Sequence, residues 1–262
     1  MNQRKLLIGS NWKMNKTGAE AVEYTRQLLA AIESLPGIER LQIFLIPPYT
    51  AIAAVKRECG GKIWVGAQNM HWAESGAYTG EISAPMLKEL EVDLVELGHA
   101  ERRQYWGETD AAINQKVHTA LRYGLRPLVC VGEQLDARNN GVEREAVAKQ
   151  LRAVLEGVPL EEVSNLILAY EPVWAIGQGG AMAPPAYVYA MCSHIRNVVS
   201  EVFGTGLAVR VPVIYGGDVR VSTAADILHH AGVDGLFVGR AAWQADSFTA
   251  LIKSCLENTR ES

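Results

Sequence analysis

Leu6-Leu7-Ile8-Gly9-Ser10-Asn11-Trp12-Lys13 is the stretch on which the fold turns. Its first three residues make an apolar, strand-like run that breaks at once into a small polar turn. A doubly wound sheet would carry a glycine-rich phosphate turn here, and neither a GxGxxG nor a P-loop pattern is present. Seven similar runs follow, so the eight predicted strands are 5–10, Leu41–Ile46, 63–67, 93–98, Arg126–Val131, 166–171, 211–215 and 235–239. Between most of them lie segments of helical period: 17–34, 110–123, 143–156 and Pro185–Phe203, with a last one at 246–256. On 143–156, Val147, Leu151, Val154 and Leu155 share one face. Strands apolar on both faces and separated by helical crossovers pair in parallel, with the helices outside. Eight such units predict a closed, single-domain (β/α)8 barrel of the α/β class over residues 1–262.

The 262 residues are 48% hydrophobic and 21% charged, a composition that folds rather than stays disordered. The formal net charge of −4 offers no overall attraction for nucleic acid or an anionic membrane. Any bound anion must therefore be held by a local set of donors. No apolar run is long enough to span a bilayer, and the apolar run at residues 6–8 is too short for a secretory leader. Cys59, Cys130, Cys192 and Cys255 are widely spaced, without zinc-ligand spacing. They read as buried thiols of a reducing compartment, and the cytoplasm is the expected location.

In such a barrel the residues just after the strand ends face a common mouth. Here they are Asn11 and Lys13, His99 and Glu101, Glu171, Gly216-Gly217-Asp218, and Gly239-Arg240. The set holds no nucleophilic Ser or Cys with a base partner and no carboxylate cluster for a divalent metal. It suits proton transfer beside a carbonyl. A carboxylate takes a proton from carbon, an imidazole donates to the oxygen, and an ammonium stabilises the enediolate. Glycine turns at helix starts offer backbone N–H groups to a phosphate. Isomerisation of a small phosphorylated sugar is the activity these residues predict.

Four segments carry a resemblance along essentially the whole chain. They are Asn11-Trp12-Lys13-Met14-Asn15, Gly98-His99-Ala100-Glu101-Arg102-Arg103, Ala169-Tyr170-Glu171-Pro172-Val173-Trp174-Ala175-Ile176-Gly177 and Tyr215-Gly216-Gly217. In this order they resemble the triosephosphate isomerase family. The resemblance implies a TIM barrel in which Glu171 is the catalytic base, His99 the neutral electrophile and Lys13 the positive charge. It implies that Asn11 orients the substrate and that Glu101 supports Lys13 and His99 from behind. Residues 172–183 would form a closing lid, hinged at Pro172-Val173-Trp174, that keeps water from the enediolate. The segment from Gln68 to Glu81 resembles the protruding loop through which the family forms homodimers. No cofactor or metal is implied, because every chemical role has a side chain.

Departures from the family pattern gather at the phosphate end. The lid reads Gly177-Gln178-Gly179-Gly180-Ala181-Met182-Ala183 and lacks the usual lysine. Asp218 replaces a serine, and Arg240 replaces the second of two glycines. An anion beside a bound dianion needs a compensating cation. Arg240 either pairs with Asp218 or reaches the phosphate with its guanidinium fork; its bland alternative is to anchor an outer loop or subunit contact. Gly177, Asp218, Gly239 and Arg240 thus join Asn11 and Lys13 as candidate substrate-binding residues. The stretches 65–72 and 235–243, ending in Trp72 and Trp243, resemble the L-erythrulose-1-phosphate isomerase branch, which serves tetritol catabolism. That branch moves a carbonyl between C2 and C3 of a tetrulose phosphate and is the expected activity. The alternative is the glycolytic and gluconeogenic interconversion of dihydroxyacetone phosphate and glyceraldehyde 3-phosphate. A non-catalytic sugar-phosphate sensor is the remote one. His71 reads as structure of the protruding loop, Cys130 as core packing near the site, and His118, His194, His229 and His230 as surface or helix-end residues.

Overall fold

The structure, a computed structural model, describes residues 4–177, 181–229 and 233–258. Its strands are β1 (Leu6–Asn11), β2 (Leu41–Ile46), β3 (Trp64–Ala67), β4 (Leu94–Leu97), β5 (Arg126–Val131), β6 (Ile167–Tyr170), β7 (Val213–Tyr215) and β8 (Gly235–Val238). All pair in parallel in sequence order, and β8 returns to β1 to close the barrel. The helices are α1 (Gly18–Ile32), α2 (Ile52–Cys59), α3 (Ala84–Glu89), α4 (Ala100–Trp106), α5 (Asp110–Arg122), α6 (Leu135–Asn139), α7 (Glu143–Leu155), α8 (Pro185–Phe203), α9 (Thr205–Ala208), α10 (Val221–His229) and α11 (Ala245–Asn258). The expected eight-unit TIM barrel is present.

Period-two alternation divides each strand between two cores. Leu7, Phe44, Leu94, Leu128, Ile167 and Phe237 fill the barrel interior. Ile8, Leu45, Val95, Val129, Leu168 and Leu236 face outward and pack under the helices. Each of these larger side chains contributes about 1.5–3 kcal/mol by leaving water. The start of α1 is set locally: the Thr17 hydroxyl accepts the Glu20 N–H, and the Glu20 carboxylate accepts the Thr17 N–H at 2.7 Å. Such a capping box is worth about 1 kcal/mol.

Strand ends fall one or two residues short of several predicted limits, and the shortfall places the chemistry. β4 stops at Leu97 because Gly98 turns the chain with φ +73°, a conformation a side chain would strain. His99 follows at the mouth. β6 stops at Tyr170, so Glu171 leaves the ladder, although its N–H still reaches the Val131 carbonyl at 2.8 Å. All four cysteines are buried, and none is in a disulfide. Among the described residues no helix is long and apolar enough to cross a membrane.

Candidate active site

At the C-terminal end of the strands lies a cleft of about 870 Å3. Every residue to which the sequence assigned a catalytic, supporting or substrate-binding role lines it: Asn11, Lys13, His99, Glu101, Glu171, Gly177, Asp218, Gly239 and Arg240.

Lys13 follows β1 in a left-handed conformation, φ +53°. Two contacts hold that turn: the Lys13 N–H donates to Asn11 Oδ1 at 2.5 Å, and Gln68 Nε2 donates to the Lys13 carbonyl at 2.7 Å. The Lys13 ammonium then donates to Glu101 Oε1 at 2.6 Å. His99 caps the start of α4, where its Nδ1 accepts the Glu101 N–H at 3.1 Å. An accepting Nδ1 assigns the proton to Nε2, which faces Glu171 Oε1 at 3.6 Å. Glu101 therefore serves His99 through its backbone; its carboxylate stands 3.8 Å from Nδ1 and is taken by Lys13. Both Glu171 oxygens are placed, since Oε2 accepts the Ala100 N–H at 3.5 Å. Gly216 closes in from behind, where a Cβ would come within 2.9 Å of Glu171 Cγ.

Burial tunes these groups in opposite directions. It pushes the His99 imidazole down to about 3, helped by the positive charges of Lys13 and Arg102, so the ring is neutral at physiological pH. It pushes the Glu171 carboxyl up to about 7, against the counteracting charge of Lys13. A carboxylate poised near neutrality, a neutral N–H donor and an ammonium can together remove a proton from carbon and stabilise the resulting oxyanion.

At the far end of the cleft the structure modifies an expectation. Asp218 does not take Arg240 as its close partner. Arg220 holds it, with Nη2 at 2.6 Å and Nε at 2.8 Å from Oδ2, while Arg240 Nη2 stands 4.0 Å from Oδ1. Two residues along the same turn is a shorter reach than across from β8. Arg240 instead donates to the Gly177 carbonyl at 3.1 Å, at the first part of the expected lid. Residues 178–180 of that lid, and His230, lie outside the described residues.

Residues 6–255 match the family described as triosephosphate isomerase. The chain belongs to the triosephosphate isomerase family. It is 42% identical to the triosephosphate isomerase of Acetivibrio thermocellus over 251 residues, covering 95% of this chain and 98% of that one. It is 44% identical to the L-erythrulose-1-phosphate isomerase of Mesorhizobium japonicum over 248 residues, covering 94% and 95%. The enzyme of that same name from Brucella abortus is 42% identical over 254 residues, covering 96% of each.

Three residues escaped the sequence analysis of this family member. Glu96 lies on β4 directly below the cleft, fully buried, and its Oε2 accepts Asn11 Nδ2 at 2.6 Å. It adds a second buried carboxyl near Glu171 that the strand-end residues did not include. Glu96, His99 and Glu171 offer ligand-type atoms within 4.8 Å of one another, the one such trio among the described residues. The signal was a lone Glu within the apolar run Leu94-Val95-Glu96-Leu97. Arg220 left no signal, because its pairing with Asp218 depends on the turn between β7 and α10. Glu133 joins β6 and α8 to Trp174 of the expected lid hinge, accepting from Tyr170 Oη at 3.1 Å, Trp174 Nε1 at 2.7 Å and Tyr187 Oη at 2.9 Å.

The base of the 68–81 loop is tied to the barrel. Lys116 donates to Asn69 Oδ1 at 2.9 Å, and His71 stacks between Trp72 and Tyr78, each at 4.1 Å between centroids. The imidazole is thus loop structure, as expected, and the tip of the loop is exposed.

Proposed function

We propose that this chain is a cofactor-independent isomerase of a small ketose phosphate, and that its substrate is L-erythrulose 1-phosphate. The observation that carries the reaction type is the meeting of Glu171, His99 Nε2 and the Lys13 ammonium in one cleft. In this reading Glu171 takes the proton from the carbon beside the carbonyl. His99 donates to the carbonyl oxygen, and Lys13 stabilises the enediolate. Glu171 then gives the proton to the former carbonyl carbon while the neighbouring hydroxyl returns a proton to His99, so the carbonyl moves between C2 and C3 with no net redox change. Asn11 orients the substrate, and Gly177, Gly239 and Arg240 flank its phosphate.

The four-carbon assignment is supported by the Gly239-Arg240 turn, with Arg240 at the phosphate end, together with 44% identity to the Mesorhizobium japonicum enzyme; Asp218 fits neither branch. A three-carbon substrate is the second reading, favoured by the comparable likeness to the Acetivibrio thermocellus triosephosphate isomerase. The deciding experiment compares kcat/KM for L-erythrulose 1-phosphate and dihydroxyacetone phosphate. We expect at least tenfold in favour of the tetrulose ester, about 1.4 kcal/mol of differential transition-state binding. A preference for the triose ester would overturn the assignment, and binding without turnover of either would identify a sensor.

Arg240 carries its own expected outcome. Arg240→Gly raises KM for the phosphate ester by about three- to tenfold, the loss of one half-exposed charge-assisted hydrogen bond. An unchanged KM would leave Arg240 only its bond to the lid carbonyl. The same reading assigns a second copy of this chain to the exposed tip of residues 68–81, and a working place in the cytoplasm.

A further inference from the structure

Glu96 is a residue the reaction does not use. Alternation along β4 turns Leu94 and Glu96 into the barrel interior while Val95 and Leu97 face the helices. An inward carboxyl at this level lies under the cleft, fully excluded from water. Its direct partners among the described residues are the Asn11 amide at 2.6 Å and, more weakly, the Cys130 thiol at 3.8 Å. No ammonium or guanidinium among them forms an ion pair with it.

The groups facing Glu96 come from four elements. β1 and its turn bring Asn11 and the Lys13 charge, the start of α4 brings His99 and Glu101, β5 brings Cys130, and the end of β6 brings Glu171. Two carboxylates within 4.8 Å and out of water do not both ionise, so the Glu96–Glu171 pair keeps one proton. Glu171 has what the charged form needs: the Ala100 N–H at 3.5 Å, the Lys13 charge and an opening to the cleft. Glu96 has one neutral amide, a weak thiol contact and a share of the Lys13 charge, but no opening to the cleft. Burial and the nearby Glu171 charge both hold its carboxyl well above the ordinary carboxylate range.

We propose that Glu96 is a positioning residue that remains a neutral carboxylic acid while the enzyme works. It anchors Asn11, and through Asn11 the Lys13 turn, and it leaves the pair's single negative charge on Glu171. The mechanical path is continuous: Glu96 Oε2 accepts Asn11 Nδ2, Asn11 Oδ1 accepts the Lys13 N–H at 2.5 Å, and Lys13 is held at φ +53° with its ammonium at the mouth. The proton sits on the oxygen that does not face Asn11. An ionised Glu96 would instead force the proton onto Glu171 and silence the base.

This inference rests on the isomerase reading for its kinetic part alone, since the protonation state is read without turnover. Infrared difference spectra of the full chain at pH 8 should contain a protonated-carboxyl C=O band that survives in Glu171→Gln and disappears in Glu96→Gln. In kinetics, Glu96→Gln, whose amide oxygen can accept the same Asn11 bond, should keep kcat within about threefold and move the acid limb of kcat/KM by less than about one pH unit. Glu96→Val leaves the Asn11 amide without its acceptor, and kcat/KM should fall by about tenfold or more, chiefly through KM. The proposal is overturned by the absence of that band, by a downward shift of more than about one unit in Glu96→Gln, or by Glu96→Val behaving as the parent. Full turnover by Glu171→Gln would sink the isomerase reading instead, and the band would still report on Glu96.

Discussion

Glu171→Gln lowers kcat by about three to four orders of magnitude with little change in KM. The amide fills the same space against Gly216 and can still meet the Ala100 N–H, so substrate binding survives. What is lost is, among the described residues, the only carboxylate that is both open to the cleft and poised to accept a proton from carbon. Steady-state turnover of either ketose phosphate measures the effect, and a loss of less than about tenfold would remove Glu171 from the role of base. The parent enzyme should lose kcat/KM as the pH falls through about 7, where Glu171 takes up its proton. His99 stays neutral over that range and adds no second step. The same group affects stability in a definite direction. Its folded-state pKa lies above the unfolded one, so its burial stabilises the fold at acid pH, and that stabilisation is lost as the pH rises through the folded value. Glu171→Gln should therefore melt at higher temperature than the parent at pH 8 and show no such advantage near pH 4. Activity here is maintained at a cost in stability, because a buried anion is the working form.

Lys13→Met lowers kcat/KM by about a thousandfold or more, through kcat and KM together. Two effects add. The ammonium that offsets the developing enediolate charge is gone, a change of about 3–4 kcal/mol for a single electrostatic donor in a secluded site. The Glu101 carboxylate, 2.6 Å from that ammonium in the parent, is left uncompensated at the mouth and repels a phosphorylated substrate. Methionine keeps the apolar stem, so the comparison isolates charge. Because the loss is electrostatic, the variant's KM should depend less on ionic strength than the parent's. A variant within tenfold of the parent would show that Lys13 serves only its turn.

Much of this site was legible in order along the chain. Asn11, Lys13, His99 and Glu171 each follow a β-run, and parallel strands closed into a barrel send such positions to one mouth. Motif order then placed the chain in a family. Glu96 was harder to see. A single Glu in a four-residue apolar strand looks like an interruption until the inside-outside parity of β4 is known, and parity is set by the register with β3 and β5. The pairing of Asp218 with Arg220 in preference to Arg240 was illegible, since both arginines lie near in the chain or the fold and only the path of the turn decides between them.

By itself the sequence determined the barrel, because eight strand-and-helix periods of alternating hydrophobicity have one economical closure. It also determined which polar side chains stand at the strand ends. The tertiary structure alone decided their states: which nitrogen of His99 carries the proton, that Glu101 serves His99 by its backbone and Lys13 by its carboxylate, and that a second carboxyl lies beneath Glu171. Proton positions and charges depend on burial and on distances of a few ångströms between residues far apart in the chain, and those exist only once the barrel has closed.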